Sequence, residues 1–370
     1  MGIFESFGFK NQEPTAKRAS FMLLHGIFPP ITTPFHSDGS VYFKKLEHNV
    51  AHWSKTPVAG MVILGSTGES VMLSDQERRD ILKCAREACA PEKVLLAGTG
   101  LESAIETLRL TEYAASLGYD VAMVRTPHYY KRQMQPKNAL AFYRTVADRS
   151  PLPVIIYSFP QATGYDIPAE VVIELAEHPN LIGIKESAGD LAKVKKLVEG
   201  TRHIKREAKV TEIFNAVTSR MLAQPQAAAA GEMVSAASLT GGTVSVEAPP
   251  KLKTRSKEVG FQVLVGAAHQ LKDSLDAGAV GAILAFACAA PTACFEIYAA
   301  WKEGDAELAR EKQERIVPAV RRVVAELGIP GVKYGMDLNG YYGGPPRLPL
   351  LPLTAEEKAE VERLMADIRN

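Results

Sequence analysis

Lys185 closes a short apolar run, Leu181-Ile182-Gly183-Ile184, and is followed at once by Glu186 and Ser187. An apolar run of this kind reads as a strand buried on both faces, the usual state in a parallel sheet. An amine at the end of such a strand is partly stripped of water, which favours its neutral form. A neutral amine can attack a ketone and form a Schiff base. Most strand-end lysines simply reach solvent, so the company Lys185 keeps decides between the two readings.

That company is small and polar. Thr32-Thr33-Pro34, Gly65-Ser66-Thr67-Gly68-Glu69-Ser70, Gly98-Thr99-Gly100 and Thr126-Pro127-His128-Tyr129-Tyr130 each follow an apolar run; Tyr157 ends another, and Gly266 follows a further one. Alcohols, phenols and one amine suit a small anionic carbonyl compound. The 65–70 loop can be a plain strand-to-helix turn or an anion cradle, in which glycines let backbone N–H groups approach a carboxylate. No Gly-Lys-Ser/Thr follows it, so it is not a phosphate loop, and Gly98-x-Gly100 lacks the third glycine of a dinucleotide fingerprint. Tyr157, Tyr129 and Tyr130 equally suit a core or an interface. His48 and His52 have metal-compatible spacing, but they fall on the outer face of the first helix, where a solvated pair is the plainer reading. Carboxylates and imidazoles are too few at the strand ends to hold a metal, and none is expected.

The elements that would bring these groups together alternate regularly. Apolar runs at 26–33, 60–64, 94–97, 121–124, 154–157, 181–185, 261–265 and 280–284 are separated by helix-like stretches at 43–55, 75–89, 103–117, 137–147, 168–176, 191–199 and 269–275. Ser74 with Glu77 makes a capping box at the second helix. Eight such alternations predict an α/β fold, a parallel sheet closed into a (β/α)8 TIM barrel, whose strand C-termini share one face. The barrel domain is placed at 21–303 after a flexible 1–20, and a C-terminal helical extension at 304–370, with helices at 306–327 and 354–369. Alternation lapses at 201–260, a stretch rich in Ala, Ser, Thr and Gly, which reads as an insertion between the sixth helix and the seventh strand. A helix is expected near 210–222, then flexible chain. As a helix-to-strand connection it belongs on the face opposite the chemistry.

Composition bounds the rest. With 370 residues, 46% of them hydrophobic and a net charge of +1, the chain can bury a large core and is not drawn as a whole to nucleic acid or membrane. The basic stretch 193–209 is diluted by Glu199 and Glu207 and reads as a solvated helix face. Four cysteines without a C-x-x-C pair suit reduced thiols, and with no signal-peptide core in the first twenty residues the expected location is cytoplasmic.

Three motifs in register make the pattern recognisable: Gly65-Ser66-Thr67-Gly68-Glu69, Tyr157-x-x-Pro160 with Thr163-Gly164, and Gly183-Ile184-Lys185-Glu186. The chain resembles the dihydrodipicolinate synthase/N-acetylneuraminate lyase family from about residue 26 to 352. Thr126-Pro127-His128-Tyr129-Tyr130, Tyr157-Ser158-Phe159-Pro160 and Lys185-Glu186-Ser187-Ala188-Gly189-Asp190 look most like its 4-hydroxy-2-oxoglutarate aldolases. The resemblance implies a class I aldolase in which Lys185 forms an imine with pyruvate or another 2-oxo acid and no separate cofactor is needed. Ser66 and Thr67 would hold the carboxylate. Tyr157 would be the acid/base, relaying protons through Ser66, Thr67 and Tyr129, the last from a neighbouring subunit of a homodimer or homotetramer. Ser187 and Gly266 would line the substrate.

One departure bears on the substrate. Dihydrodipicolinate synthases carry an arginine two residues after the strand-five proline, where this chain has Ala162. The expected reaction is therefore cleavage of 4-hydroxy-2-oxoglutarate to pyruvate and glyoxylate. Condensation of pyruvate with aspartate semialdehyde, as in dihydrodipicolinate synthase, is the alternative, and Arg125 and Arg132 are the cations that could replace the missing one. A metal-dependent aldolase and a non-catalytic barrel that binds a keto acid are the remaining alternatives.

Overall fold

A computed structural model describes residues 21–223 and 252–368. The expected flexible 1–20 and most of the expected flexible chain inside the insertion lie outside the described residues. Among the described residues ten strands follow in chain order: β1 (Gly26–Phe28), β2 (Gly60–Ile63), β3 (Val94–Gly98), β4 (Val121–Arg125), β5 (Val154–Ser158), β6 (Leu181–Glu186), β7 (Arg206–Thr211), β8 (Thr254–Val259), β9 (Gln262–Val265) and β10 (Gly281–Ile283). Eight of them pair in parallel in the order β1-β10-β9-β6-β5-β4-β3-β2. A bridge between Pro30 and Val62 joins β1 to β2, with the Ile31 N–H donating to the Val62 carbonyl at 2.9 Å. This is the (β/α)8 barrel that the alternation predicts.

Side chains leave a strand on alternate faces, so each strand feeds two cores. Phe28, Val62, Leu96, Met123, Ile155 and Ile283 pack together inside the ring. Ile63, Ala97, Val124, Ile156, Ile184 and Val263 pack outward against the helices. Between Val154 and Ile155 the register with β6 shifts by one residue. That irregularity puts Lys185 on the inner face beside Tyr157 and turns Glu186 outward, where it meets Lys193 at 2.8 Å. Gly183 is required here: a Cβ on it would lie 2.3 Å from the Gln262 carbonyl oxygen, so any other residue would push β9 off β6.

Within 201–260 the expected helix near 210–222 is replaced by β7, a turn and a short helix, Ser219–Ala223. The reason is period two in Arg206-Glu207-Ala208-Lys209-Val210: Ala208 and Val210 are buried while Glu207 and Lys209 are exposed. β7 pairs antiparallel with β8. The Arg206 guanidinium donates to the carbonyls of Leu181 and Ala176, and Arg220 pairs with Asp120 at 3.0 Å. Leu181 and Asp120 stand at the starts of β6 and β4, so the ribbon floors the N-terminal end of the barrel, away from Lys185.

Past β10, Pro291–Lys302 is the helix that follows the last barrel strand, and Ala306–Ala319, Gly328–Leu338 and Ala355–Met365 form the extension. Two features depart from the sequence reading. The helix expected over 306–327 passes into a π-helical segment, Val320–Glu326, two residues after Pro318, which has no N–H to donate. Gly328–Leu338 is a helix outside the expected 306–327 and 354–369; its proline sits near the helix start, where no intrahelical donor is needed. Both capping boxes, Ser74 with Glu77 and Thr354 with Glu357, are formed.

Candidate active site

At the C-terminal mouth, Arg125, Tyr157 and Lys185 are register partners on β4, β5 and β6. Lys185 is 5% exposed. Its Nζ stands 4.1 Å from the centre of the Tyr157 ring, and no carboxylate among the described residues is in ion-pair contact with it. A lone buried amine over an aromatic face, without a fixed counter-ion, is free to bond to an incoming group. Tyr157 is 4% exposed, and its hydroxyl lies 3.2 Å from Ser66 Oγ.

Ser66 comes from the loop after β2, two tight turns, Ser66–Gly68 and Ser70–Met72, joined at Glu69. Leu64 and Glu69 flank Ser66 and Thr67 with φ of 63° and 56°, left-handed values that cost non-glycine residues about 1–3 kcal/mol each. The first hydrogen bond of the turn runs from the Gly68 N–H to the Gly65 carbonyl at 3.0 Å. The Ser66 and Thr67 N–H groups precede it, and such paired donors suit an anion.

The strain is held by contacts that the sequence reading did not find. Thr33 Oγ1 donates to the Gly68 carbonyl at 2.6 Å. The carboxylate of Glu69 pairs with Lys333 at 2.5 Å and accepts the Arg347 backbone N–H at 2.8 Å. The Arg347 guanidinium reaches the carbonyls of Gly39 and Met72 and the carboxylate of Glu77, which it holds at a pKa of about 2. Phe35 lies between the two cations, 4.5 Å from Lys333 Nζ and 4.4 Å from the Arg347 guanidinium. The C-terminal extension thus fixes the loop that carries Ser66. No local signature could announce partners so distant in the chain.

The remaining candidates are placed as follows. A Cβ on Gly266 would lie 2.1 Å from Ser187 Oγ, so these two are in contact, and the buried Ser187 hydroxyl has no hydrogen-bond partner among the described residues. Thr67 is half-buried beside Ser66. Tyr129 and Tyr130 are not brought to the Lys185–Tyr157 pair; they are 74% and 67% exposed and meet edge to face. Ala162 and Arg132 are exposed. His52 is not simply solvated: it stacks on Tyr341 of the extension at 4.3 Å. A narrow cavity at the mouth is lined by Ser66, Ser70, Gly98, Gly100, Arg125 and Tyr157. No helix among the described residues is long and apolar enough to cross a membrane.

Comparison with known proteins gives the family and the fold. The model of the dihydrodipicolinate synthetase family matches residues 23–245 and 242–368. A 4-hydroxy-tetrahydrodipicolinate synthase from Methanothrix thermoacetophila is 29% identical over 93% of this chain and 96% of its own. Among solved structures, a prophage protein of the dihydrodipicolinic acid synthase family from E. coli K12, in complex with pyruvate, superposes with a TM-score of 0.73 at 25% identity, covering 94% and 99% of the two chains. The dihydrodipicolinate synthase of Thermotoga maritima shares the fold with a TM-score of 0.72 at 22% identity, over 93% and 98%.

Proposed function

The chain belongs to the dihydrodipicolinate synthetase family of lyases, and from that premise we propose that it makes or breaks a carbon–carbon bond next to the keto group of pyruvate through an imine on Lys185. The observation that carries the proposal is the buried, unpaired Lys185 amine 4.1 Å from the ring of Tyr157, whose hydroxyl meets Ser66. The amine adds to the keto carbon and water leaves, giving the imine. Protonated, it accepts the electron pair of the breaking bond as an enamine; in the other direction the enamine attacks an aldehyde. The keto acid's carboxylate rests on the Ser66 and Thr67 N–H groups, and Ser187 beside Gly266 borders the same space. Tyr157 takes the proton of the substrate hydroxyl in cleavage and returns it in condensation, with Ser66 as relay. The covalent imine is the only group this chemistry requires.

The names of the curated relatives support condensation of pyruvate with aspartate semialdehyde as the reaction. Ala162 supports a second reading, the 4-hydroxy-2-oxoglutarate cleavage that the sequence motifs favour, because a methyl group cannot bind the carboxylate of a semialdehyde. The exposed Tyr129–Tyr130 pair supports assembly with a second copy, into whose site Tyr129 would reach.

Borohydride with pyruvate tests the chemistry: the peptide containing Lys185 gains the mass of a reduced pyruvate adduct, and an unchanged mass rules the proposal out. Parallel assays with pyruvate plus aspartate semialdehyde, and with 4-hydroxy-2-oxoglutarate alone, separate the two substrates.

A further inference from the structure

The barrel mouth holds a second cation that the imine chemistry does not use. Arg125 ends β4 in register with Tyr157, its side chain 15% exposed, and lines the cavity with Ser66, Gly98 and Gly100. The two glycines leave that side of the cavity free of side chains.

The guanidinium is held from one side only. Its Nη1 lies 3.3 Å from Glu102 Oε1 and 2.7 Å from His128 Nδ1, while Nε and Nη2 donate to no described residue. His128 Nδ1 is also 2.5 Å from Glu102 Oε1. Burial, then the neighbouring Arg125, pushes His128 below the ordinary histidine range. The other Glu102 oxygen accepts the backbone N–H groups of His128 and Tyr129, each at 3.0 Å. Glu102 therefore fixes Arg125 through one nitrogen and leaves the Nε–Nη2 edge open. Two parallel donors at that spacing are the guanidinium's strongest means of holding a carboxylate.

We infer that Arg125 is the specificity-determining residue for the aldehyde partner, binding a carboxylate on it, so that the site prefers aldehydes that carry an acid group. The keto acid's own carboxylate is already placed on the 65–70 loop. The other nearby cations are engaged or turned away: Arg78 spends Nε and Nη2 on the Ser70 carbonyl at 3.3 Å, Arg132 is exposed, and Lys131 is exposed beside Gly164, 3.2 Å from where a side chain there would begin. The inference rests on the imine reading.

The test uses the full-length protein with pyruvate and two aldehydes of similar size, glyoxylate and uncharged glycolaldehyde. The readout is the ratio of their kcat/KM values, with the pyruvate concentration that gives half-maximal borohydride trapping measured alongside. Arg125→Gln should lower the glyoxylate preference by roughly 10- to 100-fold, the worth of a hydrogen bond to a charged group. It should leave the pyruvate half-point in place. Arg125→Lys keeps the charge without the fork and should fall between, which also serves if the glutamine variant does not fold. An unchanged ratio in both variants overturns the inference. So does a shift in the pyruvate half-point instead, or an equal loss of preference in Lys131→Ala. Absence of a trapped adduct in the unsubstituted protein would remove the imine proposal itself, a separate result.

Discussion

Ser66 and Tyr157 meet hydroxyl to hydroxyl at 3.2 Å, one from the loop after β2 and the other from the end of β5. The contact joins the part of the site suited to a carboxylate to the part that holds the amine, so a proton can pass between them without crossing bulk water.

Tyr157→Phe removes the acid/base and keeps the ring beside Lys185. Steady-state assays should show kcat reduced by ~10²–10⁴, the usual contribution of a positioned acid/base group, while borohydride still traps pyruvate on Lys185. Near-normal turnover would contradict the role given to the phenol.

Lys185→Ala should abolish both turnover and the trapped adduct. Lys185→Arg should do the same, although it restores size and charge, because a guanidinium does not deprotonate and cannot act as the nucleophile. An active arginine variant would mean that Lys185 serves as a charge rather than a bond-forming group.

Lys333→Met leaves the buried carboxylate of Glu69 without its partner cation. Removing one member of a buried pair costs about 3–5 kcal/mol, and replacing both members costs much less. Urea denaturation should therefore show a large loss in the single variant and partial recovery in Lys333→Met with Glu69→Gln. Equal stability of single and double variants would show that the pair does not act as a unit.

His25 gives the fold a pH dependence of its own. Burial, with Lys257 and Lys302 nearby, lowers its pKa from 6.5 to about 4. Between those values the unfolded chain binds the proton and the folded one does not, so stability rises with pH in that window. The contribution is complete above pH ~6.5 and is lost as the pH falls toward ~4. Denaturation midpoints at pH 7 and pH 5 should differ in the unsubstituted protein and differ less in His25→Gln. A gap of the same size in both would assign the effect to other groups.

The barrel was legible because its signal is local and repeated: eight buried runs, each followed by a helix-length stretch. The places of Lys185, Tyr157, Ser66 and Thr67 in the fold were legible for the same reason, since each stands at the end of such a run or just beyond it. The floor ribbon was not. Its alternate residues are charged and only Ala208 and Val210 carry the buried face, so it looked like a solvated helix. Nor could the helix Gly328–Leu338 be seen behind two glycines and a proline, or the link of Arg125 to Glu102, which joins the end of β4 to the loop after β3.

Arg347 lies close to the end of the chain, yet it grips the loop that carries Ser66. The eight barrel strands alone therefore do not supply the anchors of that loop, which come from residues that follow β10. Loss of the segment from Lys333 to Arg347 would strip Glu69 of its ion pair and the loop of its anchors while every reacting side chain remained in the molecule.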